Sequence, residues 1–142
     1  IEAELAAFYY KVSDAYTQIF KRVGLGDKTY KTFASGGSFS KYSHEFQTVC
    51  EAGEDVIYIN KENNIAVNKE VFTDDVKKDL GLSGNFVEAK AIEVGNIFTL
   101  GTRFSEALGL KYKNEAGQDV PVFMGSYGIG PARLMATVAE LL

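Results

Sequence analysis

The strongest constraint in this chain is one long amphipathic stripe followed by a series of short extended runs. Leu5, Phe8, Val12, Ala15, Tyr16, Ile19, Phe20 and Val23 recur at intervals of three and four, the spacing that lines up side chains on one face of an α-helix. The stripe predicts about six helical turns, stopped at Gly24. Such a helix must lay its apolar face on a second surface, and the rest of the chain supplies strands for it. "KTYKTFAS" reads as a strand with Tyr30, Thr32 and Ala34 on one face, Gly36 and Gly37 as a turn, and "SHEFQTVCE" as a second strand. "AGED" returns the chain into "VIYIN", "KENN" turns it again, and "IAVNKE" is a further extended piece. Residues 71–84 are polar and glycine-punctuated, a surface connection with room for a short helix. "FVEAKAIEVGNIFTLG" then reads as a buried strand, "TRFSEALGL" as a short helix, "KYKNEAGQDVPVFMGSYG" as a hairpin turning at "NEAGQ", and a last helix opens near Pro131. The expected class is α+β, a mainly antiparallel sheet flanked by helices.

Composition narrows the function classes. With 142 residues, 46% hydrophobic and 24% charged, the chain fits one domain with a real core, 1–142. The net charge of −4 argues against gripping nucleic acid by overall charge, while local contact with RNA stays open. The acidity is concentrated: residues 51–79 hold eight carboxylates and four lysines, a surplus equal to the whole net charge. Cys50 and His44 are the sole residues of their types, so neither a disulfide framework nor a Cys/His zinc site can form within the chain. A reducing, cytoplasmic setting is expected. No apolar run approaches the ~20 residues that span a bilayer, so no membrane role is expected. The chain begins at Ile1 and ends in the apolar "AELL", and both ends read as cut from a longer protein.

The closing stretch, "GSYGIGPARLMATVAELL", carries the best candidate chemistry. The first N–H groups of a helix lack intrahelical partners and sit at the positive end of its dipole. Gly125, Gly128 and Gly130 would let backbone approach an anion there, Pro131 suits the first helical position, and Arg133 adds a fixed charge in the first turn. The plainer alternative is a tight strand-to-helix connection with Arg133 as a solvated surface residue. The preceding "PVFMG" is apolar enough to predict a central strand. "GSYGIG" misses the Rossmann spacing, and no Lys-Ser/Thr follows the glycines as a P-loop requires.

"FMGSYGIGPARLMA" resembles motif 3 of class II aminoacyl-tRNA synthetases. Together with "GGSFSKYSHEFQ", "EAGED", "NIAVNKE" and "EVGNIFTLGTRFSEALGL", in that order, nearly the whole chain resembles the bacterial-type prolyl-tRNA synthetase family. The resemblance implies a ligase that joins proline to ATP and passes the prolyl group to tRNA(Pro), using ATP and Mg²⁺ in a homodimeric parent. It implies that Arg133 holds the γ-phosphate as the catalytic arginine, that Gly130 lets backbone near the nucleotide, that Glu93 contacts ATP or its Mg²⁺, and that Asn96 hydrogen-bonds the nucleotide. Phe98, Ser126, Gly128 and His44 fall at the proline pocket. Each has a simpler alternative: Glu93 in a cross-strand pair with a lysine such as Lys90, Phe98 as plain core, His44 as a structural histidine. His44 and Glu45 are adjacent on a strand, so at most one of them faces the cleft, with His44 preferred. Bacterial-type relatives commonly insert a large editing domain after the segment matching "NIAVNKE". Here residues 71–87 form only a short linker, and motif 1, the motif 2 arginine, the proline-reading loop and an anticodon-binding domain are absent from the sequence. The fragment alone is therefore expected to be inactive. A class II synthetase-like paralogue with a binding or regulatory role is the alternative.

Overall fold

A computed structural model describes residues 2–38 and 40–142; Ile1 and Phe39 lie outside the described residues. Helix α1 spans Glu2–Arg22, with Glu2 and Glu4 in its first turn and Lys21 and Arg22 in its last, matching charge to both ends of the helix dipole. It stops at Gly24, whose φ of 84° is a conformation glycine adopts without a Cβ clash. Strands β1 (Thr29–Ser35), β2 (Tyr42–Val49), β3 (Asp55–Asn60) and β4 (Ile65–Asn68) follow. A six-residue helix, α2 (Asp74–Asp79), leads into the long strand β5 (Val87–Gly101). Helix α3 (Arg103–Ala107), the small hairpin β6 (Lys111–Lys113) and β7 (Asp119–Pro121), strand β8 (Met124–Ile129) and helix α4 (Pro131–Leu141) complete the described fold. It is the expected α+β arrangement, antiparallel except for the β1–β4 pairing.

The pairings run β2–β1–β4–β3–β5 and return to β2, so five strands form a closed circuit, while β8 adds to β5 outside it. Strand β5 makes this possible by its length, pairing with β3 through Val87–Ala91 and with β2 through Ala91–Ile97. The link between β2 and β3 passes close over β5 at Gly53, where a Cβ would overlap the backbone of Ala91.

Two cores lie on the two faces of this sheet. On one, Tyr9, Tyr16 and Phe20 of α1 pack on Phe46, Val94 and Ile97, joined by Leu134 of α4. On the other, Ile57, Ile59, Ala66 and Ala91 pack with Tyr30, Val49 and Ala89, side chains drawn from all five strands of the circuit. Thr32 and Ala34 share the face of Tyr30 and are fully buried, as their alternation predicts.

Three readings of the sequence are corrected. The buried stripe of α1 is Tyr9, Ser13, Tyr16 and Phe20, whereas Phe8 is 51% exposed and Ile19 lies at the surface. A helix resting on a sheet buries a narrow stripe, and Phe8 falls beside it, edge-on to Tyr127. The expected long hairpin is divided: β6 and β7 form their own two-stranded sheet around Asn114–Gln118, and Val122 and Phe123 carry no strand. "PVFMG" is therefore not a central strand; β8 starts at Met124 and, among the described residues, pairs with β5 alone. Pro121 has no N–H to donate, so the chain is free to leave the hairpin there and join a different partner.

Because Gly53 rests against backbone rather than a flexible side chain, Gly53→Ala should destabilise the fold by about 1–3 kcal/mol, the scale of overpacking a close contact. The urea midpoint should fall while the slope of the transition stays constant; an unchanged midpoint would show that the crossing over Ala91 has slack.

Candidate active site

In a regular strand, residues three apart point to opposite faces. Strand β5 breaks that rule. Phe46 of β2 stands opposite Gly95 and Gln47 opposite Glu93, so Val94 has no partner. This one-residue bulge turns Glu93 and Asn96 to the same face, where Asn96 Nδ2 donates to Glu93 Oε1 at 2.8 Å. Phe98 follows two residues later on that face and is half-buried. Lys90, three residues before Glu93 in the regular part of the strand, points the other way, which removes the simple Glu93–Lys90 pair.

The same face continues onto β8, where Gly128 stands opposite Asn96 and Ser126 opposite Phe98. Gly128 leaves the Asn96 carbonyl accessible: a Cβ added there would sit 3.6 Å from Oδ1. The bulge also seats the last helix, since the Val94 carbonyl accepts the Gly130 N–H at 3.3 Å. Gly130 is the N-cap of α4 and Pro131 its first residue, leaving the N–H groups of the first turn directed outward. Arg133 reaches back from that turn. Its Nη1 donates to the Glu93 carbonyl at 3.3 Å and lies 4.0 Å from Glu93 Oε2, while Nη2 is 3.2 Å from Glu54 Oε1. Glu93, Gly95, Asn96, Gly128, Gly130 and Arg133 thus line one pocket of about 350 Å³. A larger groove of about 730 Å³, between Leu5, Phe8, Tyr112 and Phe123, lies away from these groups.

His44 is placed elsewhere. It stands opposite Ile97 on the α1 side of β2, with Nδ1 2.7 Å from Tyr9 Oη and its ring 4.7 Å from Phe33. Tyr9 Oη donates to the Ile97 carbonyl at 3.1 Å, which makes His44 Nδ1–H the donor to Tyr9. Burial, with Lys31 nearby, lowers the His44 pKa to about 4, and burial raises that of Tyr9. Of the expected site residues, Glu93, Asn96, Phe98, Ser126, Gly128, Gly130 and Arg133 share one face and its adjoining helix end, and His44 does not join them.

The neighbour that turns toward the site is Glu45, opposite Asn96. Its carboxylate accepts from Gln47 Nε2 at 2.9 Å and Asn68 Nδ2 at 3.0 Å, and Gln47 Nε2 also donates to Asp55 Oδ2 at 2.7 Å. Burial pushes the Glu45 pKa up, against the pull of those two amides. Glu54, Gln47, Asp55 and Asn68 were not legible as site residues. The glycine inside the "IEVGN" strand was the available signal for the bulge, since an isolated strand glycine often marks one; the "EAGED" turn gave no sign that it would reach Arg133. Among the described residues, no group of three or more His, Cys, Asp or Glu side chains is placed to hold a metal by itself.

Residues 2–141 match the model of the tRNA synthetase class II core domain (G, H, P, S and T). The chain belongs to the class II aminoacyl-tRNA synthetase core family. Among its relatives, a proline–tRNA ligase of Agrobacterium fabrum is 32% identical over 93% of this chain and 36% of its own length. A probable mitochondrial proline–tRNA ligase of Rattus norvegicus is 35% identical over 94% of this chain and 28% of its own. One from Campylobacter fetus is 40% identical over 71% of this chain and 18% of its own. The chain thus spans 36% of the length of the first of these relatives. Within this class II core, the shared face of β5 and β8 and the start of α4 form the candidate active site. No helix of the described residues is long and apolar enough to cross a membrane.

His44 supplies a pH test. It is neutral in the fold down to about pH 4 but titrates near 6.5 when unfolded. Between those values the unfolded state binds the extra proton, so stability should fall as pH drops through the window, by up to about 3 kcal/mol, and level off below it. His44→Gln should flatten the upper part of that slope in denaturant titrations at pH 6.5 and 5; an equally steep loss in the variant would place its origin in other groups.

Proposed function

We propose that the chain is part of the catalytic domain of a proline–tRNA ligase, which activates proline with ATP to prolyl-adenylate and then transfers it to tRNA(Pro). The observation that carries this reading is the convergence of Arg133, Glu93 and Asn96 at the N-terminus of α4, in a chain of this family whose relatives bear that name. Arg133 brings a guanidinium to the pocket whose N–H donors can grip a terminal phosphate, and the α4 N-terminus adds its dipole. Gly130 keeps the approach free of a side chain. Asn96 Oδ1, open beside Gly128, is an acceptor for a nucleotide N–H or hydroxyl. Glu93 Oε2 is a hard oxygen ligand; a single carboxylate suits Mg²⁺, which retains most of its shell on phosphates and water.

Phe98, Ser126 and Gly128 lie further along the same face, and an aromatic wall facing a hydroxyl and a bare backbone suits a small cyclic amino acid. His44 enters as a buttress behind β2. The chemistry is positioning and charge stabilisation: proline carboxylate attacks the α-phosphate directly, the bond to the β-phosphate breaks, pyrophosphate leaves, and no protein nucleophile takes part. A cytoplasmic, homodimeric parent enzyme fits the same reading.

In the intact enzyme, Arg133→Ala should lower proline-dependent ATP–pyrophosphate exchange by ~10²-fold or more, the effect of losing one preorganised charge-stabilising group. The melting temperature should stay within a degree or two, because exposed ion pairs contribute little. Full exchange in the variant would sink the assignment.

The stretch between β4 and β5 bears on fidelity. Lys69–Val71 forms a short 3₁₀ turn, Thr73 caps α2 by accepting from the Val76 N–H at 3.3 Å, and Phe72 stacks on Tyr58 at 4.1 Å. This packed connection holds no editing domain. A proline pocket rejects alanine only through lost contacts, roughly 1–3 kcal/mol for each missing methylene. The intact enzyme is therefore expected to leave preformed alanyl-tRNA(Pro) uncleaved in a deacylation assay, and rapid hydrolysis there would reveal an editing site outside this chain.

A further inference from the structure

The "EAGED" turn has been given no role in ATP binding, yet it delivers a carboxylate to Arg133, the residue on which that binding depends. Gly53 lies against the Ala91 backbone with no space for a side chain, and this close crossing carries the next residue, Glu54, to the rim of the pocket, where Oε1 stands 3.2 Å from Arg133 Nη2. We propose that Glu54 is a releasable counter-ion that occupies Arg133 until the terminal phosphate of the nucleotide displaces it. The inference rests on Arg133 being a phosphate ligand.

Exposure separates this role from that of a permanent anchor. The Glu54 and Arg133 side chains are 68% and 47% exposed, and an ion pair so open to water holds its partner weakly. Arg133 has a second attachment, the Glu93 carbonyl at 3.3 Å, which keeps the guanidinium at the pocket when Glu54 lets go. A polyphosphate brings several negative charges to the same site and outcompetes one carboxylate. Until then Glu54 neutralises Arg133 and adds negative charge to a rim that already holds Glu93, so it works against nucleotide binding. Glu54 touches no substrate in this scheme; it acts through Arg133.

The test is equilibrium binding of ATP to the intact enzyme by titration calorimetry, for wild type, Glu54→Gln, Arg133→Ala and the double variant, with melting temperatures to confirm folding. Glu54→Gln should tighten ATP binding by about two- to five-fold, the range of an exposed ion pair, and should leave proline binding unchanged. On the Arg133→Ala background the same substitution should change nothing. Equal tightening in both backgrounds would overturn the proposal in favour of general charge repulsion. Unchanged or weaker binding in Glu54→Gln would overturn it by making Glu54 a bystander or a fixed anchor. Arg133→Ala binding ATP as wild type does would refute the phosphate role of Arg133, a separate failure from a silent Glu54→Gln.

Discussion

The one-residue bulge at Val94 is the constraint on which the rest of the site depends. Without it Glu93 and Asn96 would point to opposite sides of β5, one into the layer under α1 and one away from it. With it, both side chains face the pocket, and the Val94 carbonyl, freed from the ladder, takes the Gly130 N–H that starts α4. A single irregularity therefore turns a carboxylate, orients an amide and fixes a helix terminus. Gly95 belongs to the same device: a Cβ there would press within 3.0 Å of the Gly128 carbonyl and 3.3 Å of Phe20, so the two strands approach closely where the helix begins.

The two faces of β5 divide the work. On the α1 side the contacts are mainly aromatic and aliphatic, and His44 on that side is tied to Tyr9. On the other side the strand circuit is apolar around Ile57, Ile59 and Ala66 and becomes polar toward Glu45, Gln47, Asn68 and Asp55. The buried amide of Gln47 bridges two carboxylates there, while its Oε1 lacks a partner among the described residues. Buried polar groups of this kind are costly unless nearly all their hydrogen bonds are made. They hold β2, β3 and β4 in one register beside the pocket, which is how a floor of short strands can present Glu93 and Asn96 without slack.

Much of this was legible in the residues. Alternation in "KTYKTFAS" placed Tyr30, Thr32 and Ala34 on one face, Gly24 stopped α1, and Pro131 opened α4, because those signals are local. The face of α1 was not, since Phe8 and Tyr9 are equally plausible by spacing and the sheet chooses Tyr9. Nor was the edge position of β8, which depends on where the chain leaves the β6–β7 hairpin. The pairing of Glu93 with Asn96 hides in the bulge: three residues apart, they look incompatible in any regular strand. His44 and Glu45 show the same limit from the other side. Alternation required that they part, but which of them went to the site was set by the cross-strand partners, Ile97 for one and Asn96 for the other.

The shared strand also sets an order of events during synthesis. Strands β1 to β4 leave the ribosome first, but their circuit closes only through β5, whose pairing with β2 runs to Ile97. Until β5 emerges, β2 and β3 each lack a neighbour, and the apolar side chains of Ile57, Ile59 and Ala66 have no lid. Long-range pairings of this kind form late and leave strand edges open to other chains in the interval. A nascent polypeptide halted between β4 and β5 would thus be a half-ring with adhesive margins, and the connection at residues 71–86 is the stretch during whose synthesis those margins stay open.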